Sequence, residues 1–261
     1  MALRGKVALV TGSTQGIGYG MLNALAAAGA DVVMHGLGNE KTIANRVSEL
    51  RDKHSVLVER SDAELLSPAK IRDMIKGVQH DFGHLDILVN NAGIQHVSPI
   101  VDLPDEKWDA IIAVILSASF HTIKAAAPLM VDNGWGRIVN TGSMHALVAS
   151  PYKSAYNAAK HGIAGLTKTV GLELAQTGVT CNSICPGYAL TDLVKNQIAD
   201  SAKANDIPKE RVINEVMLRD QPTKEFVKIE DIGALLVHLC GPHSGCITGA
   251  CLSIDGGWTA R

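Results

Sequence analysis

Positive charge is in short supply in this chain. Lys and Arg total 24 against 26 Asp and Glu, a formal net charge of −2, and no Lys/Arg cluster offsets it. A nucleic-acid surface needs concentrated cations, so no nucleic-acid partner is expected. Long apolar runs are missing too. The longest, Ala110 to Leu116, falls far short of the roughly 20 residues that cross a bilayer, and no membrane span is expected. Met1-Ala-Leu-Arg leads directly into a strand-like run, leaving no room for a signal peptide, so the chain is expected to be cytoplasmic. The cysteines Cys181, Cys185, Cys240, Cys246 and Cys251 contain no C-x-x-C pair. An odd count without a secretory signal reads as free thiols, and no metal site is expected. What is present is apolar bulk. With 46% hydrophobic and 19% charged residues, the 261-residue chain can bury a large core.

Strand-like and helix-like segments alternate throughout. Short apolar runs at 6–10, 31–34, 56–58, 85–89, 136–140, 179–185 and 250–254 read as strands. Between them, helical spacing marks 16–29, 40–53, 71–82 behind Pro68, the largely apolar 108–130, 155–175 and 231–240. Strands apolar at every position, rather than at alternate ones, belong in a parallel sheet covered by helices on both faces. Residues 188–221 break the rhythm, being polar, charged and helix-prone, and are expected to form a lid over a site. No repeat, low-complexity tract or linker divides residues 1–261, so one domain is expected.

Two motifs carry chemistry. In Val7-Ala-Leu-Val-Thr-Gly-Ser-Thr-Gln-Gly-Ile-Gly18, a strand turns through Gly12 into a helix opened by Gly16 and Gly18. Glycine lets backbone approach a phosphate closely, and the helix start offers free N–H groups and a positive dipole. In Ser154-Ala-Tyr-Asn-Ala-Ala-Lys160, Tyr156 and Lys160 stand one helical turn apart, so phenol and ammonium share a face. A cation there favours the phenolate, which suits proton transfer with a substrate oxygen. Thr11-Gly12, Asn90–Gly93, Ser143 and Pro186-Gly187 all follow strand ends, where ligands of parallel sheets bind.

With T-G-x-x-x-G-I-G, N-N-A-G, a serine after the fifth strand, Y-x-x-x-K and P-G in that order, the chain resembles the short-chain dehydrogenase/reductase family over essentially its whole length. The resemblance implies an α/β fold: a single-domain, doubly wound Rossmann-type parallel sheet, with a helical lid before the last helix and strand. It implies Tyr156 as acid/base, Ser143 as hydrogen-bond partner of the reacting oxygen, and Lys160 holding the nicotinamide ribose and depressing the tyrosine pKa. Gly12, Thr14, Gly16, Ile17 and Gly18 would cradle the pyrophosphate. Leu37, Asp62, Asn90 and Gly93 would lie on the adenosine side, and Pro186, Gly187 and Thr191 near the carboxamide. Ile115 departs from the pattern, since many members carry an asparagine there that binds a water in a proton relay to the lysine. Isoleucine cannot hydrogen-bond, so the relay is rerouted or turnover is slow. NAD rather than NADP is expected: His35-Gly-Leu-Gly38 is followed by no cation until Lys41, and residues 13–17 hold no basic residue for a 2′-phosphate.

Four segments narrow the resemblance. Residues 90–96, 143–150, 152–156 and 255–261 are similar to bacterial D-3-hydroxybutyrate dehydrogenases. That similarity implies Gln95, His145, Lys153 and Gln197 as holders of a substrate carboxylate, with Trp258 as an apolar wall and Tyr188 beside it. The implied partner is a small hydroxy or oxo acid, and the implied assembly a homotetramer. Tyr188 stands where those enzymes tend to have tryptophan, and Met144 and Pro151 also differ, so a different short hydroxy acid stays open.

Overall fold

Val7 and Leu9 of the first strand face one side of the sheet, Ala8 and Val10 the other, and all four are buried. An apolar run without alternation demands such double cover. The computed structural model, which describes residues 1–260, supplies it with strands β1 (Val7–Val10), β2 (Asp31–His35), β3 (Val58–Ser61), β4 (Ile87–Asn90), β5 (Gly136–Thr141), β6 (Val179–Pro186) and β7 (Cys251–Ile254). All pair in parallel, in the order β3-β2-β1-β4-β5-β6-β7. The helices are α1 (Gly16–Ala27), α2 (Glu40–His54), α3 (Pro68–Phe82), α4 (Asp105–Ile112), α5 (Ala118–Asp132), α6 (Ser154–Glu173), α7 (Asp192–Asn205), α8 (Lys209–Val212) and α9 (Ile229–Cys240).

On one face Ala8 and Val10 meet Met21, Leu22 and Leu25 of α1 and Ile232, Leu236 and Leu239 of α9. On the other, Val7 and Leu9 meet Met74, Ile75 and Val78 of α3, Ile123, Ala126 and Met130 of α5, and Val170 of α6. Each Val, Leu, Ile or Met side chain among them contributes up to about 1.5–3 kcal/mol, the alanines less. Strand order reverses between β1 and β4, so the turns after these two strands flank the crevice where a ligand of this fold sits.

The third strand begins at Val58, two residues later than the expected 56–58. Ser55 ends α2 in the left-handed region (φ 55), and Val56 and Leu57 bring the chain back to the sheet. As an edge strand, β3 exposes Glu59 and Arg60, which discourages pairing with another chain.

One helical run does reach membrane-spanning length and composition: Asp105–Asp132, with mean hydropathy 1.7 over its most apolar stretch. The expectation from the short run at Ala110–Leu116 overlooked how weakly Ser117, Ser119 and His121 interrupt it. The inner side of this helix is used within the chain. Ile111 and Ile115 pack on Ala155, Ala159 and Ile163, and Ala126 and Met130 pack under the sheet.

A buried polar chain crosses the sheet beneath the crevice. Thr122 Oγ1 donates to Asn90 Oδ1 (2.6 Å), Asn90 Nδ2 to Asn140 Oδ1 (2.9 Å), Asn140 Nδ2 to Thr167 Oγ1 (2.9 Å), and Thr167 Oγ1 to the Ile163 carbonyl (2.7 Å). Asn90 and Asn140 are register partners on β4 and β5, so the two amides meet directly. Each polar group is satisfied, which is what makes burial affordable.

Candidate active site

Beyond β1 and β4 the two turns lock together. Thr11 Oγ1 accepts from the backbone N–H groups of Asn91 (2.9 Å) and Ala92 (3.1 Å), while Asn91 Nδ2 donates to the carbonyls of Thr11 (3.0 Å) and Gly12 (2.9 Å). The approach is too close for side chains. A β-carbon on Gly12, whose φ is +62°, would lie 2.7 Å from Ala92 Cα, and one on Gly18 would collide with Asn91 Nδ2 and the Gly12 carbonyl. No side chain caps α1, since Gln15 makes no capping bond, so its first-turn N–H groups are left for a ligand. A bare glycine surface in front of an uncapped helix start fits a pyrophosphate.

A cleft of 540 Å³ opens from this cradle. Gly12, Thr14, Gly16, Ile17, Gly18, Leu37 and Gly93 line one part of it. Pro186, Gly187, Tyr188 and Thr191 line another, where β6 ends and Thr191 caps α7 by accepting from Val194 N–H (3.4 Å). Ser143, Tyr156 and Lys160 stand between them.

Helix α6 aims Tyr156 and Lys160. Its buried Ala155, Ala159 and Ile163 recur at one-turn spacing and pack on Ile111 and Ile115. Lys160 Nζ donates to the Thr141 carbonyl (2.5 Å) and lies 5.5 Å from the centre of the Tyr156 ring. Burial pulls the Lys160 ammonium down to about 8. Burial also pushes the Tyr156 phenol up to about 12, against the Ser143 hydroxyl, which favours the phenolate. Burial dominates the phenol, and the Lys160 ammonium, expected to acidify Tyr156, is directed at the Thr141 carbonyl.

Ile115 sits in a π-helical turn, Ala113–Ser117, between α4 and α5. Its carbonyl accepts from Ser119 Oγ (2.6 Å), and its buried side chain lies near Gly93 and the α6 alanines. The position is hydrocarbon-packed and offers no side-chain hydrogen bond.

The other end of the cleft is built to hold something polar. Lys153 is 7% exposed, and no carboxylate among the described residues pairs with it. Its Nζ donates to Tyr188 Oη (2.7 Å), and burial pulls it down to about 8. His145 lies edge-on to Tyr156, Tyr188 and Trp258 at 6.1–6.4 Å between ring centres. Burial first, and Lys153 second, push His145 down to about 3, so its ring is neutral at ordinary pH. Both His145 ring nitrogens and Gln95 Oε1 are buried without a protein partner. Gln197 also lines the cleft, its Nε2 donating to the Leu193 carbonyl (3.1 Å). The turn before α6 is strained: Tyr152 has φ 67, and its carbonyl accepts from Ser98 N–H (2.9 Å), fastening the Gln95 segment beside Lys153.

Three expected site residues do not line the cleft. Asn90 is turned inward into the polar chain under the sheet, because it is still the last residue of β4; Asn91 reaches the loop instead. Asp62 is exposed after β3, while its neighbours Ala63, Glu64, Leu65 and Leu66 form the wall. Trp258 backs His145 and Tyr188 from behind, in a cluster with Met144, Val194, Val212 and Met217. That cluster seats residues 188–221, which fold as α7, α8 and a π-helical turn, against the His145 and Tyr188 side of the cleft. Sequence reasoning missed Asn91 and Thr11 as the pair that joins the two turns. Strand parity is the signal, since residue 91 is the first beyond β4.

The family model described as short chain dehydrogenase matches residues 6–202. The D-beta-hydroxybutyrate dehydrogenase of Rhizobium meliloti (strain 1021) is 54% identical over 98% of this chain and 99% of its own length. The protein of the same name from Cupriavidus necator is 48% identical over 99% of this chain and 100% of its own. Among solved structures, a tryptophan variant of actinorhodin polyketide ketoreductase with NADPH is 29% identical, superimposes with a TM-score of 0.92, and is matched over 98% of both chains. A glycine cradle at the sheet's switch point, the Ser143, Tyr156 and Lys160 cluster beside it, and these likenesses lead to one statement: the chain belongs to the short-chain dehydrogenase/reductase family of nicotinamide-dinucleotide oxidoreductases.

Proposed function

We propose that this chain reversibly oxidises (R)-3-hydroxybutyrate to acetoacetate with NAD. The carrying observation is the buried, carboxylate-free Lys153, three residues before Tyr156 and beside the unpartnered His145 and Gln95 atoms. A buried ammonium lacking an anion is costly, and a substrate carboxylate removes that cost. An acid with its hydroxyl two carbons from the carboxylate can then reach from Lys153 to the phenol. The chain's relatives named D-beta-hydroxybutyrate dehydrogenase support the same reading.

The turns around Gly12, Gly16 and Gly18 hold the dinucleotide, with Ile17, Thr14 and Leu37 beside it and Thr191 and Gly187 at the nicotinamide end. Bound there, NAD supplies the hydride acceptor. Tyr156 in its phenolate form takes the substrate hydroxyl proton, and Ser143 donates to the same oxygen as charge builds on it. Burial alone disfavours the phenolate, so the Ser143 hydroxyl, the nearby Lys160 ammonium and the positive charge that bound NAD would bring are what favour it. Lys153, His145, Gln95 and Gln197 fix the carboxylate and so the orientation of C3. The segment 188–221 closes over the substrate and excludes water. NAD is favoured over NADP because Thr14, Gly36 and Leu37 offer no cation, and the one basic side chain there, His35, is turned into the protein. Trp108 and Phe120, left partly exposed along the long helix, support a homotetramer.

The test is reduced-nicotinamide formation with a panel: (R)- and (S)-3-hydroxybutyrate, lactate and a neutral secondary alcohol, each with NAD or NADP. The expected outcome is selective oxidation of (R)-3-hydroxybutyrate with NAD. Preference for the neutral alcohol would overturn the substrate assignment, and equal use of NADP the cofactor assignment. Tyr188 favours a second reading, a differently substituted short hydroxy acid, because its phenol puts a polar group in the pocket wall. The same panel, extended to such acids, decides it.

A further inference from the structure

His35 ends β2 and is 3% exposed, yet both of its ring nitrogens are engaged. Nδ1 accepts from the Gly12 N–H (3.2 Å), and Nε2 lies 2.9 Å from the Ala63 carbonyl oxygen. A carbonyl can only accept, so Nε2 carries the proton and Nδ1 does not. Only a neutral imidazole in that tautomer meets both demands. The backbone reinforces the tie: Ser13 N–H donates to the His35 carbonyl (2.8 Å), and His35 N–H donates to Ser13 Oγ (3.0 Å). The ring therefore joins the first cradle glycine to the segment leaving β3.

We infer that His35 is a positioning residue for the dinucleotide: as a neutral imidazole it holds Gly12 in the binding conformation, and a proton on Nδ1 releases the cradle and lowers cofactor affinity. The inference rests on the dinucleotide reading of the cradle and adds an acid limit to it. A charged ring would aim an N–H at the Gly12 N–H, two donors face to face. Gly12 has little room to adapt, since it is pinned at φ +62° against Ala92. Among the groups around the ring, Gly12, Ser13 and Ala63 are uncharged. The Asp62 carboxylate is the charge whose field reaches it, and the neighbouring Glu64 is paired with Lys70 (3.0 Å). Burial, the largest influence, holds the ring below its ordinary value of 6.5, outweighing the opposite pull of the Ala63 bond and of Asp62.

The test is NADH affinity, read by fluorescence titration of the full chain from about pH 8 downward until histidine NMR shows the His35 ring charged, for the wild type, His35→Asn and His35→Ala. Affinity linked to one ring proton falls about tenfold per pH unit below the ring's pKa. The wild type is expected to show that fall in step with the ring's protonation, followed by histidine NMR. His35→Asn, whose amide oxygen takes the place of Nδ1 and can accept from the Gly12 N–H without titrating, should bind near the wild-type neutral level with a flatter acid limb. His35→Ala should bind several-fold more weakly at every pH. Equal acid limbs in wild type and His35→Asn, or undiminished affinity once the ring is charged, would overturn the inference while leaving the dinucleotide reading intact. No affinity even at neutral pH would overturn both.

Discussion

The Lys153 ammonium donates to the Tyr188 phenolic oxygen at 2.7 Å, and this pair occupies the wall where a substrate carboxylate is expected. The phenol stays neutral, since burial raises its pKa, so it accepts from the ammonium while its own O–H remains to donate. The lysine is held charged only up to about pH 8.

That limit gives the first prediction. As pH rises through about 8, Lys153 loses its proton and the pocket loses its anchor, so kcat/KM for an anionic hydroxy acid should fall relative to that for a neutral alcohol. Lys153→Ala should flatten the ratio and raise KM for the acid. A ratio independent of pH in the wild type would remove the anchoring role.

Tyr188→Phe deletes one neutral hydrogen-bond partner of the ammonium, an interaction worth about 0.5–1.5 kcal/mol. KM for the acid is expected to rise by roughly 2- to 12-fold with kcat little changed. Steady-state kinetics on the variant checks this, and an unchanged KM would place the phenol outside substrate binding.

Asn90→Ala tests whether that residue serves the fold or the cofactor. It breaks the buried chain from Thr122 to Asn140: Thr122 Oγ1 keeps the Ser119 carbonyl (2.9 Å), but Asn140 Oδ1 loses its donor, which costs about 1–3 kcal/mol. The denaturant midpoint should drop while NADH affinity holds. The reverse pattern would return Asn90 to the binding site.

Gly12→Ala addresses the cradle. An added β-carbon would press on Ala92 Cα at 2.7 Å, in a left-handed backbone conformation that costs about 1–2 kcal/mol for other residues. NADH affinity should fall at least tenfold, measured by the same fluorescence titration. An unaffected affinity would mean that the cradle's close approach is not required.

Much of this architecture was legible from periodicity, because the strands are apolar at every position and the helices at every turn. The seven-stranded parallel sheet and the placement of Gly12, Ser143 and Pro186 at strand ends follow from that pattern. What escaped it depends on geometry at one-residue resolution. Asn90 and Asn91 are chemically the same, and only the point where β4 stops decides which one faces the crevice. Val56 and Leu57 look like strand, but the left-handed exit at Ser55 delays pairing to Val58. Tyr156 and Lys160 do share a helix face. The direction of the lysine, toward Thr141, lay beyond what spacing reveals.

The most direct measurement compares wild type and Tyr156→Phe for reduced-nicotinamide formation from (R)-3-hydroxybutyrate, with NADH affinity recorded on both. The phenylalanine keeps the ring and removes only the hydroxyl that moves the proton. The account predicts preserved NADH binding and a loss of turnover of about 10²-fold or more. A phenylalanine variant that turns over like the wild type would contradict it.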